Sequence, residues 1–314
     1  MAVIENSKLS VIGAGSVGAS LVYASLIRES ANQVALYDIA AEKVEAEVLD
    51  LAHGTQFTRS SVTGGSDLDV VADSHVVVIT AGAKQQPGQS RMELAGTNVG
   101  ILERLLPQLL ERAPDAIYVL VTNPVDVLTV AARQISGLPA ERVIGSGTVL
   151  DTSRLRWLLA KRAGVMTSSV HADIVGEHGD TEFPLWSNAR IGPVPILEWT
   201  GGDRFSIDEL DGIASEVRNA AYTVIRGKGA TNYAIGLSGA RIVEALLDDE
   251  RAVLPVSTVH SGAFGLDGIA LSMPSIVGGT GAFPIAETPM SETEAGLLAA
   301  SGDAIRATMQ TLGL

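Results

Sequence analysis

A histidine flanked closely by glycines and acids stands at Glu177-His178-Gly179-Asp180, within the segment 174–184, IVGEHGDTEFP. Small neighbours leave the ring open to a substrate. An imidazole with a pKa near neutrality can give and take a proton at working pH. Such a ring needs a carboxylate behind it, to fix the tautomer and to stabilise the charged form. Asp151, near the start of a helical stretch at 151–163, is a candidate; sequence distance alone does not bring it to His178. The same stretch carries Arg154, and Arg91 stands in a polar segment upstream. Both are cations suited to an anionic substrate.

The elements that must position these residues begin with a glycine turn. Residues 9–12, LSVI, form an apolar run ending at Gly13-Ala14-Gly15-Ser16-Val17-Gly18, after which Val17, Leu21 and Ala24 recur at helical spacing. In this strand, turn and helix, the first glycine permits the turn. The second admits a diphosphate to the backbone, and the third lets helix pack on strand. Asp38 ends the next apolar run, 34–37, at 20 residues beyond Gly18. A carboxylate there accepts from both ribose hydroxyls of NAD and repels the extra phosphate of NADP. NAD is the expected cofactor.

Further apolar runs at 76–79 and 116–121 read as strands buried on both faces, and 142–145 as a short last strand. Helices are expected at 41–53, about 92–112, and up to about 135. The implied architecture is α/β, a Rossmann-type doubly wound parallel sheet with its ligand crevice beyond the strand ends. Thr80, Asn123 and Gly145 fall at such ends. Ala81 and Gly82 follow the third strand, where small residues suit close passage of a cofactor. The polar segment 84–91, KQQPGQSR, reads as a lid. The second half is expected to be a mixed α+β substrate domain. It has helices at 206–226, 233–247 and 291–311 and antiparallel strands at 253–257 and 268–272. The halves are taken as 1–147, the NAD-binding domain, and 148–314, the substrate domain.

The 314 residues include 22 Lys plus Arg against 36 Asp plus Glu, a net charge of −14. So acidic a chain is ill suited to nucleic acid or anionic lipid, and neither is expected as a partner. Anion binding must come from local arginines and backbone N–H groups. There is no cysteine, which excludes thiolate metal sites and cysteine nucleophiles, and no metal site is expected. The N-terminus lacks the pattern of a signal peptide and no apolar run is long enough to span a bilayer, so cytoplasmic residence is the expectation.

The segments GAGSVG, AGAKQQPGQSR, TNPVD, LDTSRLR, GEHGD and KGATNYAIG, in this order, resemble the L-lactate and malate dehydrogenase family from about Ser7 to the C-terminus. The resemblance implies reversible hydride transfer between NADH and a 2-keto acid. His178 would be the proton donor and acceptor, oriented by Asp151. Arg154 would grip the substrate carboxylate in a two-pronged pair. Arg91 would polarise the carbonyl oxygen, Asn123 would hydrogen-bond the same region, and its bond to Pro124 would be cis. Thr231 and Ile235 match positions on the substrate and nicotinamide faces. Lys43, Thr122 and Asn123 join the expected cofactor contacts.

In this family the position of Gln85 faces the substituent on the keto acid, and malate enzymes carry arginine there. A neutral Gln85 leaves a second carboxylate buried without a counter-ion, a cost of several kcal/mol. Pyruvate and L-lactate are therefore expected over oxaloacetate and malate, unless Lys84 reaches inward. Positions i and i+2 of a helix point about 200° apart, so Arg156 faces away from Arg154. With His171 it resembles the residues that bind fructose 1,6-bisphosphate between subunits of bacterial lactate dehydrogenases. That implies an allosteric homotetramer. The alternatives are a malate dehydrogenase and a catalytically idle NAD-sensing module, in which His178, Asp151, Arg91 and Arg154 would have no role.

Overall fold

Among the described residues nine strands share one sheet in the order β14-β13-β12-β6-β5-β4-β1-β2-β3. The computed structural model describes residues 4–83 and 91–314, with Arg91 described by its backbone alone. In chain order the first half comprises β1 (Lys8–Ile12), α1 (Ser16–Arg28), β2 (Gln33–Tyr37), α2 (Ala41–His53), β3 (Ser61–Gly65), β4 (Val76–Ile79), α3 (Arg91–Arg112), β5 (Ile117–Leu120), α4 (Val125–Ser136) and β6 (Val143–Gly145). β1 to β6 are parallel. Every residue of β4 and β5 is buried, as strands covered on both faces require.

The strand order turns back between β1 and β4, so the glycine turn after β1 and the small residues after β4 border one crevice. β3 was not expected from the sequence. It is an edge strand, SVTGG, with one buried side chain, Val62. Its hydrogen bonds to β2 define it where hydrophobicity does not.

The second half runs α5 (Val149–Ala163), β7 (Val170–His171), β8 (Ile174–Val175), β9 (Phe183–Pro184), β10 (Arg190–Ile191), β11 (Val194–Pro195), α6 (Ile207–Lys228), α7 (Tyr233–Leu247), β12 (Ala252–Ser261), β13 (Asp267–Gly278), β14 (Gly281–Pro284) and α8 (Glu292–Leu312). The expected antiparallel strands are β12 and β13, longer than their apolar cores suggested. β12 joins β6 antiparallel through Ser257 and Gly145, so the sheet continues from one half into the other. A Cβ at Gly145 would lie 2.6 Å from Thr129 Oγ1 and 3.0 Å from Ser257 Cβ. Only glycine permits that approach.

Helix ends follow from local chemistry. Ser206 caps α6 by accepting from Glu209 N–H, and Ser291 with Glu294 forms a capping box on α8. α5 stops at Gly164 in the left-handed region. α8 in turn anchors the histidine segment, because Ser301 Oγ accepts from Glu177 N–H at 2.7 Å.

Candidate active site

A cleft of about 870 Å³ opens along the carboxyl ends of β1, β2, β4 and β5. Of the residues named from sequence as cofactor contacts, Gly13, Gly15, Ser16, Val17, Gly18, Asp38, Lys43, Ala81, Gly82, Thr122 and Asn123 line it. The glycines differ in what they do. A Cβ on Gly18 would lie 1.8 Å from Gly13 O and 2.8 Å from Thr80 Oγ1, so this glycine lets α1 seat on the turn. Gly13 has φ +111 and would meet Ala81 N at 2.8 Å. A Cβ on Gly15 would meet nothing of the protein within 4 Å. That open backbone at the start of α1, with free N–H groups, fits a dinucleotide diphosphate. Asp38 is fixed at the end of β2 by two backbone donors, Ala14 N–H at 2.7 Å and Ala40 N–H at 3.0 Å. Its acceptor capacity suits a ribose diol. Thr231 and Ile235 lie outside the cleft lining. Ile235 is on α7, which is tied to α1 by Asn232 Nδ2 donating to Ser20 Oγ at 2.8 Å.

Asn123 carries the cleft toward the histidine. Its bond to Pro124 is cis, and its carbonyl accepts from Asn98 Nδ2 at 2.8 Å. Asn98 Oδ1 accepts from Ala83 N–H at 2.8 Å, so one buried side chain holds both strand ends. Three residues past Asn123, Asp126 in the first turn of α4 accepts from His178 N–H at 2.7 Å and from Ser257 Oγ at 2.5 Å. His178 Nδ1 meets Asp151 Oδ2 at 2.7 Å, and Asp151 Oδ1 accepts from Arg154 Nη1. Residues 27 positions apart thus form the imidazole–carboxylate pair that the chemistry asks for. With Nδ1 committed to Asp151, Nε2 is the ring nitrogen left for a substrate. The histidine is half-buried, with 27% of its side chain exposed.

The protonation states follow from this geometry. Burial alone would lower the pKa of His178, but the Asp151 charge and hydrogen bond overcome it and raise the ring to about 9. Burial would raise Asp151; His178 and Arg154 outweigh it and hold that carboxyl below its usual range. Asp126 is pushed up to about 6 by burial, opposed by its hydrogen bonds from Ser257 and His178. Asp151, His178 and Glu182 each bring a ligand-type atom within 4.8 Å of the others. Since His178 Nδ1 is engaged by Asp151, we read this group as proton-handling rather than metal-binding.

Residues 7–145 match the family described as lactate/malate dehydrogenase, NAD binding domain, and residues 148–312 its alpha/beta C-terminal domain. The chain belongs to the lactate/malate dehydrogenase family. It is 46% identical over 314 residues to an L-lactate dehydrogenase of Bifidobacterium animalis subsp. lactis (strain AD011), covering 99% of this chain and 98% of that protein. To an L-lactate dehydrogenase of Synechococcus sp. (strain JA-3-3Ab) it is 44% identical, over 97% of this chain and 99% of the other. Among solved structures, the minor L-lactate dehydrogenase from Enterococcus mundtii superposes with TM-score 0.93 at 39% identity, covering 98% of each chain. A lactate dehydrogenase from a Medee basin deep-sea metagenome library reaches TM-score 0.95 at 36% identity, over 99% of this chain and 100% of that one. NAD is accordingly the family's cofactor, and the cleft is shaped for it.

The remaining expected positions divide in two. Gln85, Lys84 and the side chain of Arg91 lie outside the described residues. Arg156 takes different partners from Arg154. Its Nε donates to Ala172 O at 2.9 Å and its Nη2 to Asp173 Oδ1 at 2.8 Å, beside exposed His171 on β7. Four residues went unremarked in the sequence: Asp126, Asn98, Ser257 and Glu182. Asp126 had left a signal, a carboxylate inside VDVLTVAA, whose eight residues are all buried in α4. No helix among the described residues is long and apolar enough to cross a membrane.

Proposed function

We propose that this protein is an NAD-dependent L-lactate dehydrogenase that interconverts pyruvate and L-lactate. The observation that carries this reading is the His178–Asp151 pair at 2.7 Å, with Arg154 on the same carboxylate, beside a cleft that fits NAD. When bound, the nicotinamide supplies or accepts the hydride. His178 holds a proton on Nε2 at neutral pH and delivers it to the carbonyl oxygen of pyruvate; in reverse, the neutral ring takes the proton of the lactate hydroxyl. Asp151 fixes the tautomer and balances the imidazolium charge. Arg154 keeps guanidinium donors beyond the one given to Asp151, and these hold the substrate carboxylate. Arg91 and Asn123 act on the carbonyl oxygen, Thr231 and Ile235 complete the substrate and nicotinamide faces, and neutral Gln85 selects against a second carboxylate.

The division into residues 1–147 and 148–314 is part of the same reading, supported by the two family matches falling on either side of it. So are cytoplasmic residence and activation of a homotetramer by fructose 1,6-bisphosphate. Arg156 and exposed His171, both near Ala172 and Asp173, offer donors that a two-fold axis would double for a tetra-anionic ligand. The ligand would have to displace Asp173 from Arg156.

Initial rates of NADH oxidation with pyruvate and with oxaloacetate, each with and without the bisphosphate, test these points. Pyruvate should be strongly preferred and its half-saturation lowered by the bisphosphate. Preference for oxaloacetate would overturn the role of Gln85, and an unchanged half-saturation at both pH 6 and pH 7.5 would remove the effector site.

A further inference from the structure

Glu182 has no task in the mechanism above, yet it is buried beside the reacting histidine. It lies four residues after His178, immediately before β9, with 3% of its side chain exposed. Its Oε2 stands 4.0 Å from His178 Nδ1, the nitrogen already held by Asp151. Its Oε1 is buried with no hydrogen-bond partner. A buried carboxylate oxygen without a donor is costly when ionised and far less so when the group carries a proton.

The charged neighbours come from several elements. α5 contributes Asp151 and Arg154, α6 contributes Arg218, and Asp126 approaches His178 from α4. Arg218 Nη1 donates to the backbone carbonyl of Glu182 at 3.3 Å, so it fixes the chain without engaging the carboxyl oxygens. Glu177, in the same segment, is occupied by Thr181, whose hydroxyl donates to it at 2.5 Å. Two carboxyl groups thus face one imidazole edge, one paired and one held close without a donor. Like charges this close raise one another's pKa, and an imidazolium facing both offsets only part of that repulsion.

We propose that Glu182 is a positioning residue for proton transfer: a second carboxyl group behind His178 whose negative charge, when present, supports the imidazolium that Asp151 holds. The inference rests on His178 as the proton carrier. Burial, then the Asp151 charge, push the Glu182 carboxyl well above the usual carboxylate range. Near neutrality the protonated form is therefore favoured. As pH rises it ionises next to the imidazolium and stabilises it. Losing that second negative charge lowers the pH at which His178 gives up its proton.

The test is the pH dependence of kcat/KM for pyruvate reduction and for lactate oxidation, in the parent enzyme and in Glu182→Gln. Gln keeps the shape but cannot ionise. Both alkaline limbs, one falling and one rising, should move together to lower pH by about one unit. A residue that merely fills space would lower rates without moving a limb. Limbs present in the parent and unmoved in Glu182→Gln would overturn the role of Glu182 alone. A parent with no limb in either direction would overturn the His178 reading with it. Should Glu182→Gln fail to fold, infrared difference spectra of the parent decide. A protonated carboxylic acid at pH 7.5, above the range where Asp126 ionises, is expected; its absence refutes the proposal.

Discussion

Asp151→Asn removes the charge behind His178 with little change of shape. If the amide oxygen keeps accepting from Arg154, the amide NH2 group faces Nδ1, so the acceptor for the ring proton is lost as well. What disappears is the charge and hydrogen bond that lift the ring from its ordinary 6.5 to about 9. Burial acts in the opposite direction and the weaker pulls of Glu182 and Asp126 remain, so without Asp151 the ring should fall back towards its ordinary 6.5. A shift of that size is worth about 3 kcal/mol between the two protonation states. At pH 7.5 the parent ring is almost wholly protonated, whereas in the variant roughly a tenth would be.

Protonation alone therefore lowers pyruvate reduction by about tenfold at that pH, and loss of charge stabilisation in the transition state adds to it. The acidic side should recover part of the loss, because the proton returns there. Initial rates of NADH oxidation across the pH range, with NADH affinity followed by fluorescence, provide the assay. The falling limb should move down by about two units while NADH binding persists. A limb that stays near the parent's position would show that Asp151 does not set the ring's charge.

The cofactor turn offers a paired test. Gly18→Ala places a methyl 1.8 Å from Gly13 O and should sharply lower both Tm and NADH affinity. Gly15→Ala meets no protein atom within 4 Å, so it should weaken NADH binding with Tm nearly unchanged. Equal effects of the two would refute the distinction. Away from the site, His260 in β12 is 2% exposed, and its Nδ1 has no partner. Burial lowers its pKa, so the folded state resists its protonation. That resistance removes stability as pH falls below the unfolded value of 6.5 and is absent well above it. The Tm of His260→Leu relative to the parent should therefore rise as pH is lowered from 8 to 5; a pH-independent difference would count against the argument.

Much of the first half was legible because its signals are local. A glycine turn after an apolar strand, Asp38 at the next strand end, and wholly apolar runs such as VVVI express backbone sterics and burial within a few residues. β3 escaped because an edge strand with one buried residue leaves almost no hydrophobic pattern. The two-residue strands β7 to β11 are too short for periodicity to register. His260 escaped for another reason. A histidine in a strand says nothing of its burial until the neighbouring strand and Phe264, edge-on at 5.8 Å, are in place.

At the active site, residue types alone established that an accessible histidine, arginines and an NAD-type turn share one chain, because each is a property of a residue or its immediate neighbours. The order of the motifs then tied them to one family. Which groups meet was settled only by the tertiary structure. Asp151 reaches Nδ1 across 27 residues, Asp126 holds the His178 backbone across 52, and Glu182 is turned inward beside both. Charge interactions and desolvation depend on distance and burial in space. The candidate for proton transfer could be named from the chain, but the charges around it belong to the fold.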